Sequence, residues 1–230
     1  MKTSLHRFII CIALLIATSG QANVVAYVNH AFGIGNSLFA NPLTASPNNT
    51  LSNLFYYTTV PYGTSVSLWN PASLSFATTS TYDMDIYGGW SANFTLNPGT
   101  GARLTTPSVF TNTFVGEVQN HDGSVFTGSL TNPPVYAGPN GIFLLGDKAP
   151  VAAFGDDIFY HILGRAPNVG EQVMTLTTTS TYLGAGTWDL IPSLGVSDAV
   201  FLNVGPVPEP SAAAISLLGL ALLRAFRRKA

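Results

Sequence analysis

The string TTSTY occurs twice, at 78–82 and again at 178–182, and its surroundings recur with it. Upstream, LFANPL at 38–43 answers LLGDKAPV at 144–151, and LFYYTTVPYGTSVSL at 54–68 answers IFYHILGRAPNVGEQVMTL at 158–176. Downstream, Trp90 answers Trp188, and FTLNPGTGARL answers DLIPSLGVSDAVFL. Order is kept and the offsets stay near 100 residues, as in a chain built from copies of one structural unit. The expected organisation is two divergent tandem repeats, about 24–120 and 136–204, joined through the Pro- and Gly-rich GSLTNPPVYAGPNG.

The unit reads as mainly β. Only 9% of residues are charged, against about a quarter in an ordinary globular chain. Thr, Ser, Asn and Gly fill the difference, a composition that favours strands and turns over amphipathic helices. Ser65–Trp69 and Thr111–Val118 alternate in polarity, and Asn93–Leu96 precedes the turn signal Asn97-Pro98-Gly99. Each repeat also predicts one short helix. Ile158, Phe159, Ile162 and Leu163 form an apolar face, with Asp156 or Asp157 as N-cap and Gly164 as the stop. Leu51, Leu54 and Phe55 do the same after Asn49-Thr50. Two arrangements fit: a small sandwich per repeat, or one pseudo-symmetric domain.

The ends read differently from the body. Lys2, His6 and Arg7 precede ten apolar residues, Phe8–Ala17, and then small residues to Ala22, the pattern of a signal peptide over 1–22. Cys11 is the only cysteine and falls inside this helix, so the mature chain is expected to lack disulfides and Cys-based metal sites. Residues 23–206 hold three basic residues against ten acidic ones, a balance of −7 that argues against nucleic acid as a partner.

Candidate chemistry is sparse. His30, His121 and His161 lack metal-ligand spacing, and no cofactor or metal is expected. His161 falls among apolar helix positions and reads as a partly exposed helix residue. Asn120-His121-Asp122-Gly123 reads as a hairpin turn through its Asp-Gly pair. Asp83-Met84-Asp85 and Asp156-Asp157 carry the carboxylates a calcium site uses, but neither continues into a calcium loop. The Gly33-Ile34-Gly35 and Gly99-Thr100-Gly101 pairs lack the rest of a dinucleotide fingerprint. Thr-x-Thr rows suit ice binding only with a short fixed period, which is missing. Trp69, Trp90 and Trp188, with Tyr56, Tyr57, Tyr62, Tyr82 and Tyr87, are candidates for stacking on a sugar, although the matched positions of Trp90 and Trp188 also suit core packing.

The C-terminus combines three features. Val207-Pro208-Glu209-Pro210 cannot be helical. Ala212–Leu223 is apolar except for Ser216, the core of a minimal single transmembrane helix. Arg224, Arg227, Arg228 and Lys229 close it with positive charge that favours the cytoplasmic side. This order over 207–230 resembles the PEP-CTERM sorting signal of Gram-negative bacteria, a tail also labelled an ice-binding protein C-terminal region. The resemblance implies export through the inner membrane. It also implies recognition of Pro208, Glu209 and Pro210 by an exosortase, then passage to the cell surface or extracellular matrix, often in connection with exopolysaccharide and biofilm.

The expectation is therefore a non-enzymatic exported protein with a structural or adhesive β body. The alternative is a carbohydrate-binding module for extracellular polysaccharide. A glycan-acting enzyme comes third, with Asp83, Asp85, Glu117 and Asp122 as the only crowded acids.

Overall fold

The computed structural model describes residues 23–124, 126, 130 and 141–205. The expected leader and the tail, with Pro208, Glu209, Pro210, Arg224, Arg227, Arg228 and Lys229, lie outside the described residues. Among the described residues, no helix is long and apolar enough to cross a membrane.

The chain is mainly β. Its first stretch runs β1 (Val25–Phe32), β2 (Gly35–Ala40), α1 (Leu51–Leu54), β3 (Ser65–Asn70), β4 (Ser75–Asp83), β5 (Gly89–Trp90), β6 (Gly101–Thr106) and β7 (Phe110–Glu117). The second runs β8 (Gly141–Leu145), β9 (Ala153–Phe154), α2 (Asp157–Leu163), β10 (Gln172–Met174), β11 (Thr179–Gly184), β12 (Thr187–Trp188), β13 (Ser193–Leu194) and β14 (Val200–Val204). Both helices sit where the apolar periodicity places them, and Gly164 closes α2 at φ 71°. The Asn93–Leu96 stretch forms no strand of its own. Its contribution is a single bridge between Thr95 and Thr50.

Two five-stranded antiparallel sheets carry the fold, in the orders β2-β6-β3-β4-β5 and β8-β14-β10-β11-β12. Taken from β2 and from β8, the two orders correspond strand for strand. The recurring TTSTY lies in β4 and in β11. Strand alternation turns Ser80 and Tyr82 inward in one sheet and Ser180 and Tyr182 inward in the other. Tyr82 pairs with Trp90, rings 5.3 Å apart, and Tyr182 pairs with Trp188, rings 5.2 Å apart. The backbone bonds match too. Tyr82 N–H donates to Thr64 C=O as Tyr182 N–H donates to Glu171 C=O. The pair β1–β7 belongs to the first stretch alone among the described sheets.

Each sheet covers its own core. Phe32, Phe39, Phe55, Phe114 and Leu104 fill the first, and Ile158, Phe159, Leu163, Val173 and Leu202 the second. A third cluster of Leu38, Ala40, Leu144 and Ala199 joins them, with Trp69, Phe76 and Phe201 against it. The joint is reciprocal. Ala40 N–H, at the end of β2, donates to Ser197 C=O, and Gly146 N–H, just past β8, donates to Gly99 C=O. Phe39 bridges Asp198 as Leu145 bridges Thr100. Gly99 and Ser197 both hold positive φ, 79° and 64°, in these two turns. Approach is closest at Gly146, where an added Cβ would stand 2.4 Å from Ala40 Cβ and 2.7 Å from Asp198 C=O. Of the two organisations that the sequence leaves open, these contacts favour one joined body.

Candidate functional site

The first candidate is an aromatic cleft beside β5. It encloses about 430 Å³ between Phe55, Tyr57, Tyr82, Met84, Trp90 and the polar pair Ser52 and Asn93. Each wall has a local cause. Phe55 follows α1 and packs its ring 5.6 Å from Trp90. Tyr82 O–H donates to Tyr57 C=O, which ties that loop down while leaving the Tyr57 ring exposed. Burial, aided by Tyr62 and Tyr57, pushes the Tyr82 phenol above its ordinary pKa. Asn93 bonds Ser52 twice, accepting from its N–H and donating to its hydroxyl. Tyr56 and Tyr57, rings 4.9 Å apart, and Tyr62 and Tyr87 add exposed aromatic surface to this half.

Trp90 itself is 9% exposed, and its Nε1–H has no hydrogen-bond partner among the described residues. Trp188, 8% exposed, holds the matching place in the second sheet, and its Nε1–H donates to Asp156 at 2.7 Å. The ladders explain the difference. Leu51 N–H donates to Phe94 C=O, and Gly155 N–H to Pro192 C=O, so the next residues, Ser52 and Asp156, correspond. A short hydroxyl stands where the other half places a carboxylate. A buried N–H without a partner costs about 1–3 kcal/mol, a cost that the first half carries and the second avoids.

The second candidate is a side-chain cluster of His121, Asp147 and His161. His121 sits in the turn closed by Gly123 N–H to Asn120 C=O, just after β7. Asp147 follows β8, and His161 lies in α2. His121 Nδ1 donates to Asp147 Oδ1 at 2.9 Å, and Ala149 N–H donates to the same oxygen. His161 Nδ1 approaches Asp147 Oδ2 at 3.0 Å, and the two imidazoles stack 4.2 Å apart. Burial pushes the Asp147 carboxyl up, but the two imidazoles and the Ala149 N–H outweigh it and hold it below its ordinary pKa. The Asp147 carboxylate raises the His161 imidazole against the effect of burial. The turn expected at 120–123 is present, with Gly123 at φ 85°. What the turn reading misses is that His121 is buried.

The remaining candidates disperse. Asp83 Oδ1 accepts from Asp85 and Ile86 N–H, so it braces its own loop. Glu117 in β7 accepts from Asn23, and Asp122 accepts from Ser124 within its turn. None of the four acids lines the aromatic cleft. Asp156 stands at the N-cap of α2 without a side-chain cap bond, because its carboxylate is turned to Trp188. Trp90 and Trp188 are each built into a core, so neither offers an open face for stacking. Of the tyrosines that the sequence reading places beside the tryptophans, Tyr56, Tyr57, Tyr62 and Tyr87 are exposed and Tyr82 is buried.

No protein-family model, no curated protein and no solved structure matches this chain.

Proposed function

We propose that this is an exported protein of the bacterial surface or matrix that holds extracellular polysaccharide and catalyses no reaction. In this reading, 1–22 is a signal peptide and 207–230 a PEP-CTERM tail with one transmembrane helix and a cytoplasmic basic stop. An exosortase reads Pro208, Glu209 and Pro210. The body is a duplicated β unit, each copy with one short helix, and the copies have diverged in what they do.

The observation that carries the reading is a cleft walled by aromatic side chains beside exposed tyrosines. Sugar rings offer apolar C–H faces to aromatic side chains and hydroxyls to polar groups such as Ser52 and Asn93. The volume falls within the range of about 300–1,000 Å³ usual for ligand clefts. A lining without an acid supports binding over glycan hydrolysis, which needs two facing carboxylates.

The test is retention of the full-length chain on the host bacterium's purified exopolysaccharide. Tyr57→Ala removes an exposed ring and should weaken retention about tenfold, the worth of one aromatic contact. Trp90→Ala is the poorer probe because it empties a core. Absence of wild-type retention would leave the purely structural or adhesive role. Replacing Pro208-Glu209-Pro210 tests sorting separately, and an unchanged cell fractionation would remove the tail from the account.

A further inference from the structure

We propose that His121, Asp147 and His161 form a binding site for a divalent transition-metal ion, with Zn²⁺ the natural probe, clamping the end of the first half to the second. The inference stands apart from the glycan reading. His121 belongs to the turn after β7, whereas Asp147 and His161 come from the other half. Their ligand atoms all lie within 4.8 Å of one another, and Asp147 is only 6% exposed.

Asp147 Oδ2 and His161 Nδ1 are buried 3.0 Å apart as an ion pair, and neither has a further hydrogen-bond partner among the described residues. Two buried ligand atoms this close, with no further partner, can share a metal ion in place of a proton. Imidazole nitrogens with one carboxylate are a donor set that zinc and its neighbours prefer.

The first half shows what the position does without such a task. Asn41 follows β2 as Asp147 follows β8. Asn41 Oδ1 accepts from Leu43 N–H, two residues on, as Asp147 Oδ1 accepts from Ala149 N–H. Asn41 Nδ2 then donates to Asn49 Oδ1 and Leu96 C=O. In the second half the corresponding atom is Oδ2, an acceptor with negative charge, and it faces His161. The nearest cation of the same loop, Lys148, lies beside Gly123 and Asp122. Ion binding through His121 Nδ1, His161 Nδ1 and Asp147 Oδ2 needs each Nδ1 free of its proton: a neutral imidazole shifts it to Nε2 through solvent, an imidazolium releases one proton and keeps the other on Nε2, and Oδ1 keeps its Ala149 bond.

The experiment uses the full-length chain, stripped with EDTA and titrated with Zn²⁺. The readouts are bound metal after dialysis, the visible bands of a Co²⁺ substitute, and the melting temperature. One equivalent should bind tightly enough to survive dialysis, with a rise in melting temperature that EDTA reverses. Asp147→Asn copies the residue of the first half, and His161→Gln alters a partly exposed position. Each should abolish that uptake, while His30→Gln should leave it intact. Should Asp147→Asn fail to fold by circular dichroism, His161→Gln decides. No retained equivalent in the wild type, or the same uptake in folded variants, would overturn the proposal.

Discussion

The two five-stranded sheets share their strand order, yet at matched positions one half uses neutral groups where the other uses charge. Thr64 and Glu171 both sit behind the turn that feeds Tyr82 and Tyr182. Thr64 bonds one neighbour, Thr106 Oγ1. Glu171 takes both arms of Arg165, at 2.6 and 2.8 Å, and the N–H groups of Asn168 and Gly205. Asn41 against Asp147 and Ser52 against Asp156 repeat the pattern. Backbone topology therefore tolerates a wide exchange of side-chain chemistry. Trp90 Nε1 lacks the partner that Trp188 Nε1 has, and Asp147 Oδ2 has only His161 Nδ1 beside it, two of several buried polar atoms without a hydrogen bond among the described residues.

The sharpest way to break the comparison is at Glu171. Glu171→Gln leaves Arg165 without its counter-charge and should cost about 3 kcal/mol in urea unfolding. Thr64→Val should cost about 1 kcal/mol. The pH dependence also differs. Burial pushes the Glu171 carboxyl up, but the Arg165 bonds, the two N–H donors and the Arg165 charge hold it below its ordinary value. A carboxylate depressed in the folded state contributes fully above its unfolded pKa, about 4.3. That contribution is lost as pH falls through the lower, folded value. The gap between wild type and Glu171→Gln should be constant near neutrality and close below about pH 4, whereas the Thr64→Val gap should not move.

The joint between the halves comes next in size. Ala40 and Gly146 correspond, and their backbones meet so closely that only one of them can carry a Cβ. Gly146→Ala should cost about 2 kcal/mol through overpacking against Ala40 and the Asp198 carbonyl. Adding Ala40→Gly should return part of that loss, because the nearer clash is with the Ala40 methyl. A fully additive double variant would show that the halves yield at this contact.

Much of this was legible in the chain. The mainly β class follows from composition and alternation, both short helices from apolar spacing, and the likeness of β4 and β11 from one recurring string. Pairing of Tyr82 with Trp90 and of Tyr182 with Trp188 also sits within the recurring segments. The site was less legible, for a physical reason. His121, Asp147 and His161 are separated by 26 and 14 residues and reach each other only through the packing of β7, β8 and α2. Local spacing rules see metal ligands on one helix or hairpin and miss ligands gathered by tertiary contact. One signal was present: aligning LFANPL with LLGDKAPV sets Asp147 on Asn41, a new charge at a place that the other copy keeps neutral. The cleft was partly legible through Trp90, but its burial depends on Phe55 and the Tyr57 loop, which sequence does not place.

The smallest expected effect separates the two tryptophans themselves. Both indoles fill a core beside a tyrosine, so replacement by phenylalanine removes similar volume from each half. The difference lies in the N–H. Trp188→Phe deprives Asp156 of a donor 2.7 Å away and should cost about 1–2 kcal/mol more than the volume change alone. Trp90→Phe removes an N–H that has no partner among the described residues, so the loss of volume is offset by the desolvation cost no longer incurred. Urea unfolding of the two variants should therefore rank Trp188→Phe below Trp90→Phe. On the polysaccharide column the ranking should reverse, with Trp90→Phe the weaker binder because it alters a wall of the cleft and Trp188→Phe unchanged because it lies outside it. Equal stability losses would mean that Trp90 Nε1 has a partner in the folded chain. The two halves would then not differ in how they satisfy this indole.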